Sequence, residues 1–176
     1  MAGYPLSEAG RILKKYNTRD PYTLLEAIGA VTVFSYEYPP DGLKGYSTIM
    51  NRVMYAVING RQPQEDRRIA SGHEAAHLIL HKGHILASPV RMMKDFNLFD
   101  NSGRYEREAN IFLADFLVSD EDALCVISDR DRDYFSAARE LCLPPQLLAF
   151  KLYNMMQRGY QVHNPIDPDN RFLSRR

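Results

Sequence analysis

The residues whose types and spacing can do chemistry fall within residues 71–81, S-G-H-E-A-A-H-L-I-L-H. His73, Glu74 and His77 spell H-E-x-x-H there. On a helix, side chains four positions apart stand one turn above each other. His73 and His77 therefore aim two imidazoles at one point, as a divalent metal requires of its first two protein ligands. Glu74 sits about 100° further round such a helix, beside the metal rather than on it. That is where a general base takes a proton from a water that the metal activates.

The competing reading is a surface pair of histidines with a solvated glutamate. Ala75, Ala76, Leu78, Ile79 and Leu80 argue against it, because they make both flanks of the helix apolar. Two imidazoles and a carboxylate buried without partners are costly, and a metal offsets that cost. His81 lies one further turn along the same face. It either hydrogen-bonds a ligand or substrate, or simply favours the negative end of the helix.

A catalytic zinc site needs a third protein ligand and one open position. Downstream, the convincing helix with carboxylates is residues 104–118, R-Y-E-R-E-A-N-I-F-L-A-D-F-L-V. Helical spacing puts Glu106, Ala109, Asn110, Leu113 and Leu117 on one face, with Phe112 and Phe116 beside it. A glutamate on that inward face suits a ligand, and Asn110 one turn later suits an outer partner of the site. Glu108 points elsewhere and, near Arg104 and Arg107, reads as a solvated surface charge. Glu106 is the expected third ligand.

H-E-A-A-H-L-I-L-H followed by E-R-E-A-N-I-F-L-A-D-F-L resembles the ImmA/IrrE family of zinc-dependent metallopeptidase domains, which are gluzincin-like. The likeness runs from about Asp20 to about Gly159, and its specific part is the two motif helices and their separation. The resemblance implies one zinc ion per chain on His73, His77 and Glu106, with Glu74 as base and Asn110 orienting a histidine ligand. It also implies a substrate class: helix-turn-helix repressors of mobile elements or stress responses, cut by a regulatory protease with few targets. One departure is visible. The family often ends the second helix in a leucine pair and a proline, where this chain has Phe116-Leu117-Val118-Ser119, so the rim of the cleft differs.

The elements that must position these residues begin with two scaffold helices. Ser7 reads as the cap of the first, which ends near Asn17. Asp20-Pro21 opens the second and Gly29 stops it. From Val31 the period changes to two, and three strands follow: from Val31 to Tyr36, residues 46–50 and residues 53–58. Pro39-Pro40-Asp41-Gly42, Asn51-Arg52 and Asn59-Gly60 supply the turns. The expected sheet is a three-stranded antiparallel meander that delivers the chain into the metal-site helix. Pro63 starts that helix, with Glu65 and Asp66 at its positive end, and Lys82-Gly83 ends it. Residues 83–102 read as a long loop dotted with apolar residues, with or without a short helix, either a lid or simple packing.

In the C-terminal third, Ser119 with Asp122 three positions on starts another helix. Helices over residues 131–141 and 145–158 follow, separated by Pro144-Pro145 and stopped by Gly159. The last pair looks like a helix-turn-helix. Its second helix offers only Lys151 and Arg158 as basic residues, too few for base reading beside phosphate contacts, so it reads as core packing.

Whole-chain properties bound the rest. The 176 residues suit one domain with a real core. Lys+Arg and Asp+Glu both number 22, so no global field favours nucleic acid or an anionic membrane. Cys125 and Cys142 lack C-x-x-C spacing and read as small buried hydrophobes in a reducing compartment. The N-terminal residues have no apolar core of signal-peptide length, and no run approaches a membrane span. A cytoplasmic protein is expected.

The expectation is therefore an α+β fold, a small antiparallel three-stranded sheet on a helical body with a zincin-like metal site between two core helices. Residues 1–165 form a single metallopeptidase-like domain, with a helical subregion at about 119–159 and a loosely ordered tail at 166–176. The expected function is a zinc-dependent endopeptidase acting on a protein substrate. Tyr105, Tyr46, Tyr55 and His81 are alternative donors to the oxyanion or substrate, and residues 46–50 form a candidate edge strand for an extended substrate. The rival is a protein-binding module whose metal is structural or absent. Direct binding of nucleic acid or membrane is not expected, and sequence leaves the oligomeric state open.

Overall fold

A computed structural model of the chain describes residues 3–95, 103–129 and 133–166. Its described residues form eight helices and a four-stranded mixed sheet, an α+β architecture. The chain divides into two compact units, residues 13–98 and residues 1–12 with 99–176. The first helix, α1 (Gly3–Tyr16), begins before Ser7, whose hydroxyl donates to the Tyr4 carbonyl from inside the helix. Ser7 is therefore not its cap.

The unit of residues 13–98 holds the sheet. α2 (Pro21–Ala27) starts as its sequence predicts: the Asp20 carboxylate accepts from the Thr23 N–H at 2.7 Å, Pro21 fills the first turn, and Gly29 follows at φ 76°. Then come β1 (Ala30–Ser35), β2 (Gly45–Met50) and β3 (Val53–Asn59). β2 and β3 are the expected antiparallel hairpin. Asn51 and Arg52 both have positive φ, 51° and 67°, which gives the two-residue connection the twist that strands need.

β1 departs from the meander. It pairs in parallel with β3, so that the strand order is β1-β3-β2-β4. The reason lies at the end of β3. Buried Asn59 donates from Nδ2 to the Pro39 and Leu43 carbonyls, and Gln62 donates to the Lys44 carbonyl. These bonds lead residues 36–44 past the end of β3, to start β2 on its far side. The sequence pattern marks strands but does not choose their neighbours.

The fourth strand, β4 (Met92–Asp95), lies in the stretch expected to be loop, and pairs antiparallel with β2. β2 is thus paired on both sides and is not an edge on which a substrate strand can add. Residues 96–102 of that stretch lie outside the described residues.

The metal-motif helix is α3 (Gln64–Leu80), capped at Pro63 with Glu65 and Asp66 in its first turn. Every residue from Ile69 to Leu78 is buried, so the helix is enclosed all round over more than two turns. The helix stops just before the expected Lys82-Gly83, but no loop follows. His81 ends α3, and α4 (Lys82–Ala87) begins at once, with Gly83 inside it.

The other unit packs α5 (Arg104–Leu117) on α8 (Pro145–Gln157), with α6 (Asp120–Ile127) and α7 (Tyr134–Glu140) alongside. Phe112, Leu113 and Phe116 of α5 and Leu147, Leu148 and Phe150 of α8 are essentially inaccessible. Each such side chain is worth about 1.5–3 kcal/mol of burial. Ser119 caps α6 by accepting from the Asp122 N–H while donating to its carboxylate. Asp133 caps α7, within the helix expected over 131–141, of which residues 131–132 lie outside the described residues. The expected tail lies outside them too, from residue 167 on.

Lys151, 1% exposed, donates to Asp115 and Asp120, and Arg158 pairs with the same two carboxylates. Lys151 of α8 and Arg158 at its C-terminal cap are thus neutralised inside their own unit. Both cysteines differ from expectation: Cys125 and Cys142 are exposed. Cys125 falls off the Ala123/Val126 stripe of α6, and Cys142 follows the end of α7 at φ 52°.

Candidate metal centre

α3 carries His73, Glu74 and His77, all 0% exposed. Helical spacing does what the motif predicts. The Nε2 atoms of His73 and His77 lie 2.9 Å apart. In a tetrahedral zinc site with bonds of ~2.0–2.1 Å, two ligand nitrogens are separated by about 3.3 Å. The pair is slightly closer than that, near enough for both nitrogens to reach one divalent ion.

The other side of the His77 ring meets His81, 4% exposed: the two Nδ1 atoms are 2.9 Å apart. If Nε2 of His77 ligates a metal, its proton must sit on Nδ1. That N–H then donates to Nδ1 of His81, whose own proton is on Nε2. His81 is placed here because its backbone N–H bonds the His77 carbonyl at the end of α3. His81 thus caps the end of α3 and touches the His77 ring.

Glu74 faces the sheet. Its Oε2 accepts a 2.5 Å hydrogen bond from the Ser47 hydroxyl, both side chains being fully buried. Gly45, at the start of β2, has no side chain where a Cβ would lie 2.8 Å from Glu74 Oε1. Gly45, Ser47 and Ile49 share one face of β2 by the alternation of a strand. Neither Gly45 nor Ser47 was among the sequence candidates. A glycine opening a strand signals close approach of another group, and a serine on a strand's buried face needs a partner.

The register places the tyrosines. Ser47 opposes Ala56, whereas Thr48 opposes Tyr55 and Tyr46 opposes Val57. Tyr46 and Tyr55 therefore stand on the sheet face turned away from Glu74. Burial also pushes the Tyr46 phenol above its ordinary pKa, with the charges of Tyr38 and Glu37 adding to the effect.

In the other unit, Tyr105 and Glu106 lie in the first turn of α5, both part-exposed, and Asn110 one turn later is fully buried. Glu108 corrects the sequence reading. It is not a solvated charge: it is 9% exposed and accepts a 2.7 Å bond from Arg104 Nε. Arg104 at i−4 covers it, and the bond is of the kind that helix neighbours make.

A buried H-E-x-x-H helix with paired imidazole nitrogens defines the class of the site, that of the helix-borne metallopeptidase centres. The family model that matches is the IrrE N-terminal-like domain, a peptidase family, over residues 31–153. The chain belongs to this family of metal-dependent peptidases, the one its motifs resemble. "Uncharacterized immunity region protein 2" of Bacillus phage phi105 is 32% identical over 110 residues. That match covers 62% of this chain and 65% of the relative, so the chain spans a little under two thirds of the relative's length. No solved structure matches significantly. Among the described residues, no helix is long and apolar enough to cross a membrane.

Proposed function

We propose that this chain is a zinc-dependent endopeptidase with a regulatory role. The observation that carries it is the convergence of His73 Nε2 and His77 Nε2 on fully buried α3, with Glu74 beside them. Glu106 is the third ligand in this reading. Its support is the position one turn before buried Asn110 on α5, together with family membership. Asn110 orients a ligand from outside the coordination sphere. Residues 1–165 act as one domain, a view supported by a family match that draws on both units.

Zinc, when bound, lowers the pKa of a water and polarises a scissile carbonyl. The chain's own residues do the rest. Glu74 takes the proton of the attacking water and passes it to the leaving amine. His81 holds His77 in the tautomer that ligates through Nε2. Tyr105 is the proposed donor to the oxyanion, because Tyr46 and Tyr55 face away from Glu74 and His81 is engaged with His77.

The substrate is a helix-turn-helix repressor. That class follows from the family resemblance, and the phage relative's description as an immunity region protein supports it. The protein works in the cytoplasm, without direct contact to nucleic acid. Lys151 and Arg158, held by Asp115 and Asp120, support the last point.

Protein purified without chelator is expected to carry about one zinc per chain. Glu74→Gln keeps that zinc but loses about 10²–10⁴-fold in cleavage of a repressor encoded beside the gene. Cleavage at the wild-type rate by Glu74→Gln excludes Glu74 as base. A wild-type protein that holds zinc and binds the repressor, yet never cuts it, is a protein-binding module.

A further inference from the structure

We infer that Ser47 is a positioning residue for the general base, and that Gly45 and Ser47 together divide the labour of the two Glu74 oxygens. The inference rests on the reading of Glu74 as base. Ser47 donates to Oε2 at 2.5 Å, in a place with no access to solvent. A hydroxyl bound to a carboxylate at that length is among the stronger hydrogen bonds of proteins. It fixes the carboxylate's rotation, with proton transfer assigned to Oε1.

Oε1 is the oxygen beside Gly45. A Cβ on that residue would stand 2.8 Å from Oε1 and 3.1 Å from the Val57 carbonyl oxygen. The carbonyl belongs to a central strand, while Oε1 is the tip of a flexible side chain. Any side chain at position 45 therefore displaces Glu74 before it displaces the sheet. The same strand supplies a donor to one oxygen and clearance for the other, two residues apart on one face. Packing alone does not ask for this pair: an alanine at 47 would fill a buried strand position without a polar group to satisfy. Ser47 keeps its proton throughout, and only Glu74 exchanges one.

The test uses the full chain and four variants: Ser47→Ala, Ser47→Thr, Gly45→Ala and Glu74→Gln. Ser47→Ala is expected to lower kcat by about 10–100-fold, with KM and zinc content unchanged. Ser47→Thr, which keeps the hydroxyl, recovers most of that loss. Gly45→Ala lowers kcat by a similar factor while still binding zinc, although its donor is intact. In the Glu74→Gln background, Ser47→Ala produces no further loss of kcat. A readout without turnover comes from the chelated, metal-free protein. There the urea midpoints of Ser47→Ala, Glu74→Gln and the double variant fail to add, as for residues in contact. Additive midpoints, or wild-type kcat in Ser47→Ala, overturn the inference. Full activity of Glu74→Gln instead overturns the assignment of the base, and the two failures are distinguishable.

Discussion

The Nδ1 atoms of His77 and His81 lie 2.9 Å apart, one helical turn from the facing Nε2 atoms of His73 and His77. The His77 ring therefore joins two contacts through its two nitrogens. Removing the outer partner should weaken metal binding without removing a ligand. His81→Ala is expected to lower zinc affinity by about 10–100-fold, the usual effect of an outer partner. Competition with a chromogenic chelator measures this. An affinity equal to wild type would falsify the role given to His81.

Arg52 sits at φ 67° in the two-residue turn between β2 and β3, where a side chain is strained and glycine is not. The side chain is exposed, so little packing is lost on its removal. Arg52→Gly should stabilise the protein by about 1 kcal/mol, the cost of a left-handed residue. A thermal melt several degrees above wild type checks it, and a lower midpoint shows that the Arg52 side chain matters in some other way.

How much of this was legible beforehand depends on whether the information was local. The caps at Asp20 and Ser119, the turn at Asn51-Arg52 and the enclosure of His73 and His77 all follow from spacings of four residues or fewer. The same spacing rules predict that His77 can reach His81. Long-range pairing is different. Nothing in the alternation from Val31 says that β1 pairs with β3 in parallel, because the decision is made by Asn59 and Gln62 against residues 39–44. Ser47 stands 27 positions from Glu74, and only the folded sheet brings them together. Glu108 differs for another reason, since its partner is local. Its charge suggested solvent, but Arg104 neutralises it at the surface and its carbon chain is buried.

Acid should act on the helical unit through Asp120. Burial raises its pKa, but hydrogen bonds from Lys151 and Arg158, with their charges, outweigh burial and hold it below the ordinary carboxylate value. A carboxylate whose folded pKa is depressed contributes stability above its unfolded pKa, about 3.9, and loses it as pH falls through the folded value. Urea midpoints of wild type and Asp120→Asn should therefore differ at neutral pH and converge below about pH 4. A gap that stays constant down to pH 2 shows that Asp120 acts by shape and not by charge.

Two glutamates on one helix, two positions apart, can be separated by experiment. Glu106 is part-exposed one turn before buried Asn110, whereas Glu108 is committed to Arg104 at 2.7 Å. A carboxylate already paired with a guanidinium is a poorer candidate for a metal, since the two cations compete for the same oxygens. Glu106→Ala should therefore lose zinc as His73→Ala and His77→Ala do, because two ligands do not hold a catalytic ion tightly. Glu108→Ala should keep about one zinc per chain and lose little stability, because its Arg104 partner is mostly exposed to solvent. Metal content after dialysis, read beside the melting temperature, distinguishes loss of a ligand from loss of fold. Full zinc in Glu106→Ala with an empty site in Glu108→Ala reverses the assignment, and would require Arg104 to release Glu108 when the ion binds.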